Sequence, residues 1–78
     1  MEPEFAFGEI LRELRKQRGL SQEKLALEAG IERNYISLLE LGKNSASLKM
    51  IFKLAAVLET TPTELLRRVE ERQRHATH

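Results

Sequence analysis

The sequence predicts an all-α fold, a compact domain of five short helices. Three observations carry that prediction. Apolar residues recur at three- and four-residue spacing from end to end, and no stretch alternates as a half-buried strand would. Gly19, Gly30 and Gly42 fall where periodic stretches end, and Ser21, Ser47 and Thr61 stand where new ones begin. The chain's 78 residues, 41% hydrophobic and 32% charged, suit one globular domain and are too few for a second core.

Taken in order, Phe7, Ile10, Leu11 and Leu14 form the inward face of a first helix, which ends where Gly19 can adopt a left-handed cap. Ser21 caps a short second helix with Leu25, Ala26 and Ala29 inward, and Gly30 supplies the positive φ of a tight turn. A third helix turns Ile36 and Leu39 inward and stops at Gly42. Lys43, Asn44, Ser45 and Ala46 make a polar loop. Ser47 then opens a fourth helix carrying Leu48, Ile51, Leu54, Ala55 and Leu58. Thr61 as N-cap, Pro62 at the first helical position and Glu64 at the capping-box position start the fifth. That helix shows Leu65, Leu66 and Val69 before it becomes Glu70-Glu71-Arg72-Gln73-Arg74 with no apolar face left, so the end of the tail over 68–78, with His75 and His78, is expected to fray. The domain is read as residues 1–78 with its core over about 7–67.

Composition narrows the function. There is no cysteine and no aspartate, which removes a thiol nucleophile, a disulfide framework and the common cysteine zinc site. No cofactor, metal or enzymatic activity is expected. The longest mostly apolar stretch, Leu54 to Leu58, is far too short for a bilayer, so no membrane partner is expected, and the absence of cysteine suits a cytoplasmic location. A net charge of +1 names no partner, but its distribution is uneven. Arg12, Arg15, Lys16 and Arg18 cluster early, and Lys43, Lys49 and Lys53 share a stretch without any acid.

The block from Ser21 to Gly42 gives this composition a purpose. Two short helices joined by a tight turn at Gly30, inside a small helical domain, form a helix-turn-helix pattern. The runs Gly19-Leu20-Ser21-Gln22-Glu23-Lys24-Leu25-Ala26, Ala29-Gly30-Ile31 and Tyr35-Ile36-Ser37-Leu38-Leu39-Glu40-Leu41-Gly42-Lys43 resemble the Cro/C1-type (XRE) helix-turn-helix family. The likeness covers roughly residues 7–67. Within that family, Glu32-Arg33-Asn34-Tyr35-Ile36-Ser37 is most similar to controller proteins of restriction–modification systems.

The resemblance implies a lambda-repressor-like fold and a sequence-specific regulator of transcription that binds double-stranded DNA as a homodimer on a palindromic operator. RNA polymerase is a further partner if the protein activates. The third helix, about Arg33 to Leu41, would then lie in the major groove. Arg33 matches guanine O6 and N7, Asn34 matches adenine N7 and N6, Ser37 shares their face, and Leu38 suits a thymine methyl. Ser21, Gln22, Lys43, Asn44, Ser45 and Ser47 would hold phosphates, Gln22 alternatively bracing the recognition helix. Tyr35 is open between core-edge packing and a phosphate contact. Arg15 and Glu40 match a structural ion pair of the family. Glu59 and Thr60 replace its usual glycine–aliphatic pair, which is expected to loosen that corner. Leu66 and Val69, joined by Phe52 and Val57, are the expected dimer surface. A phage or plasmid repressor, or an antitoxin-type module acting through protein–protein contact, is the alternative.

Overall fold

Capping side chains set where most helices begin. In the computed structural model, which describes residues 1–76, the elements are α1 (Pro3–Gln17), α2 (Gln22–Ala29), α3 (Arg33–Glu40), α4 (Leu48–Val57) and α5 (Pro62–Ala76). His78 and the end of the 68–78 tail lie outside the described residues. Ser21 Oγ accepts the Lys24 N–H at 3.0 Å, Ser47 Oγ the Met50 N–H at 3.2 Å, and Thr61 Oγ1 the Glu64 N–H at 3.0 Å. Each satisfies a donor that the helix itself cannot. α1 starts earlier than its apolar face suggests, because Pro3 occupies its first turn, where a missing N–H does no harm. α2 closes on Gly30 at φ 69°, and the Ile31 N–H reaches back to the Ala26 carbonyl at 2.9 Å.

Every helix gives at least one fully covered side chain to one core: Leu11, Leu25, Ile36, Leu39, Leu54 and Leu65. Among the described residues no helix is long and apolar enough to cross a membrane. α1 crosses the C-terminal end of α3 at Gly8, where an added Cβ would meet the backbone carbonyl oxygens of Leu39 and, at 2.7 Å, Glu40. That approach seats the third helix directly on the first.

Four expectations are corrected by the packing. Val69 is only 6% exposed and belongs to the core, because it lies one helical turn beyond Leu65 on the same face. Leu48, grouped with the apolar residues that the fourth helix carries, is exposed: it is the first residue of α4, where a side chain tilts back past the helix start. The corner after α4 is closed, not loose. Glu59 takes the left-handed conformation at φ 57°, the Thr60 N–H bonds the Ala55 carbonyl at 2.9 Å, and the Glu59 carboxylate pairs with Arg18. Finally, the polar stretch expected to lead into a frayed end is docked: α5 runs as helix to Ala76, and the residues beyond lie outside the described ones. Arg72, two turns beyond Leu65, reaches Glu9 and Glu13 of α1, each at 2.8 Å, so charge docks the stretch where apolar residues run out.

Candidate nucleic-acid interface

Around α3, inward Ile36 and Leu39 leave Arg33, Asn34, Ser37, Leu38 and Leu41 on the outward side. Arg33 and Asn34 are exposed in its first turn, while Ser37 and Leu38 are half-buried one turn on. Arg33 has no ion pair among the described residues. Glu32, at the N-cap position, makes no side-chain capping bond, so the first N–H groups of α3 lack the partner that serines and threonine give α2, α4 and α5.

The opposite end of α3 is held firmly. Arg15 Nε donates to Glu40 Oε2 at 2.6 Å and its Nη2 to Oε1 at 3.1 Å, while Nη1 donates to the Leu20 carbonyl at 2.8 Å. Gln22 Nε2 donates to the same Glu40 oxygen at 3.1 Å. The pair is nearly covered, with side chains 10% and 4% exposed for Arg15 and Glu40. Hydrogen bonding to Glu40 raises the Arg15 guanidinium above its ordinary value against the opposing effect of burial. One carboxylate therefore ties α1, the start of α2 and the end of α3, and a bidentate pair fixes direction as well as distance. Of the two roles open to Gln22, its amide takes bracing; that NH₂ carries a second hydrogen that can still reach outward.

Tyr35 resolves differently from a phosphate ligand. Its ring packs against the core and its hydroxyl donates to the Ser45 carbonyl at 2.9 Å. A hydroxyl has one hydrogen, so in this arrangement Tyr35 shapes the 43–47 loop and has no proton for a phosphate. Lys43, Asn44 and Ser45 are exposed on that loop, and Lys43 makes no ion pair among the described residues. Ser21 and Ser47 accept at their caps, which leaves each hydroxyl hydrogen able to donate. The structure thus gathers Ser21, Gln22, Arg33, Asn34, Ser37 and Leu38 around the helix-turn-helix, and Lys43, Asn44, Ser45 and Ser47 on the loop anchored by Tyr35.

Gly8 is the residue here that sequence reasoning passed over. Its signal was available: a glycine inside a good helix costs about 1 kcal/mol relative to alanine, which points to a close approach.

Comparison with known proteins agrees with this geometry. A Helix-turn-helix family model (HTH_3) matches residues 11–65. The chain belongs to that helix-turn-helix family. It is 41% identical over 61 residues to control protein C.BamHI of Bacillus amyloliquefaciens, covering 77% of this chain and 75% of that one. The crystal structure of the restriction-modification controller protein C.AhdI from Aeromonas hydrophila superposes with a TM-score of 0.77 at 47% identity, over 80% of this chain and 94% of that one. The biofilm master regulator SinR, solved in complex with DNA, superposes with a TM-score of 0.74 at 31% identity, over 77% and 97%.

Proposed function

We propose that this helix-turn-helix protein is a DNA-binding transcription regulator of the restriction–modification controller type, acting as a homodimer on a palindromic operator. The observation that carries the proposal is an unpaired Arg33 beside Asn34 at the exposed start of α3, a helix whose other end is locked by Arg15, Glu40 and Gln22. A fork that reads base edges works only on a rigid mount, and this one has it. Identity to C.BamHI and C.AhdI supports the controller reading, and SinR on DNA supports the ligand.

In this reading Arg33, Asn34, Ser37 and Leu38 face bases, while Ser21, Gln22, Lys43, Asn44, Ser45 and Ser47 face phosphates. Salt-dependent binding to duplex DNA is the direct test. Lys43→Ala should weaken binding to every sequence alike and lower the slope of log affinity against log salt by about one unit. An unchanged slope removes Lys43 from the interface.

Dimerisation has a narrower surface than the sequence implied. Val69 is buried in its own chain and Val57 is half-covered by the core, which leaves Phe52 at 56% and Leu66 at 41% exposure as the apolar anchors. A single unit reads only a few base pairs, and a two-fold pair would set two recognition helices about 34 Å apart, one turn of DNA. Sedimentation velocity should find the wild type dimeric, and Leu66→Glu monomeric but folded. A Leu66→Glu dimer contradicts this interface.

A further inference from the structure

A shallow groove runs along the Glu40 side of α3, lined by Arg12, Arg15, Gln22, Ser37, Glu40 and Leu41. It holds two cations in contrasting states. Arg15 is engaged with Glu40 and the Leu20 carbonyl. Arg12, one turn earlier on α1, is exposed and has no hydrogen bond or ion pair among the described residues. The acids able to neutralise it along its own helix are Glu9, one turn back, and Glu13 beside it, and both are held by Arg72 of α5. Both carboxylates nearest Arg12 on its own helix are thus engaged by a residue of the last helix.

We infer that Arg12 is an additional contact to the DNA backbone, and that Arg72 keeps it available; the inference rests on the DNA-binding reading above. The placement argues for it. Tyr35, bonded to the 43–47 loop, and Glu40, bonded to Arg15 and Gln22, lie on opposite flanks of α3. A helix in a major groove has a phosphate backbone on each flank. The loop flank offers Lys43. On the other flank Arg15 is neutralised, so Ser21 and Gln22 bring hydrogen-bond donors without charge, and the free cation lining that groove is Arg12. A guanidinium there gives charge-assisted bonds to phosphate oxygens and releases counterions from the duplex.

The test is fluorescence anisotropy with a labelled mixed-sequence duplex across a salt series, using the full chain. Wild type, Arg12→Ala, Arg12→Lys and Arg72→Ala are compared, with thermal melts alongside. Arg12→Ala should melt as wild type, bind several-fold more weakly and lose about 0.9 from the salt slope; Arg12→Lys should keep the slope. Arg72→Ala should weaken binding by freeing Glu9 and Glu13 to pair with Arg12, and adding Glu9→Gln and Glu13→Gln should restore it. A wild-type slope in Arg12→Ala overturns the contact while leaving the DNA-binding reading intact. Wild-type binding in Arg72→Ala overturns the role of Arg72. A wild type that shows no salt-dependent binding overturns the functional reading and this inference with it.

Discussion

Glu40→Ala is expected to destabilise the domain by about 3 kcal/mol, at the lower end of what breaking a buried ion pair costs. The reason lies in what is left behind. Arg15 is 10% exposed, and without Glu40 its guanidinium keeps only the Leu20 carbonyl, while Gln22 loses the acceptor of its amide. Removing one partner from such a site leaves an unpaired charge, which costs more than the pair itself contributes. Urea unfolding monitored by circular dichroism checks the magnitude, and the double variant with Arg15→Ala should lose less than the sum of the single losses. A loss well under about 1 kcal/mol would equate the pair with an ordinary surface bridge. The functional consequence goes beyond stability: with α3 untied from α1 and α2, the folded fraction should also bind DNA less well.

Gly8→Ala should lower stability by about 1–3 kcal/mol, although a glycine-to-alanine change inside a helix ordinarily raises it by about 1 kcal/mol. The sign is the diagnostic. The added methyl would meet the Glu40 carbonyl at 2.7 Å and the Leu39 carbonyl closer still, and both are backbone atoms that cannot rotate aside. Relief requires α3 to lift from α1, which moves the recognition helix and strains the Arg15–Glu40 pair next to it. A variant that melts above wild type would show that the two helices separate at little cost.

Most of the fold was legible because it is written locally. Ser21, Ser47 and Thr61 announce their helices through bonds to the backbone three residues on, and Gly30 announces the turn through a conformation other residues avoid. What the sequence hid is what depends on distance along the chain. Arg72 meets Glu9 and Glu13 from the far end of the protein, so a polar tail looked free when it was docked. Val69 fits both the stripe of Leu65 and that of Leu66, and only packing against α1 and α4 chooses between them. Tyr35 shows the same limit at the site. Its position suits either role, and the loop conformation that brings the Ser45 carbonyl to its hydroxyl decides.

In the proposed function, sequence-specific binding rests on Arg33 reading a base from the exposed start of α3. Its most direct test compares wild type and Arg33→Ala on a duplex selected by the wild type from a random pool and on a scrambled duplex, at several salt concentrations. Arg33→Ala should lose about 1–3 kcal/mol of discrimination between the two duplexes while keeping most of its affinity for the scrambled one. An equal loss on both duplexes, with discrimination unchanged, would make Arg33 a phosphate contact and not a reader of bases.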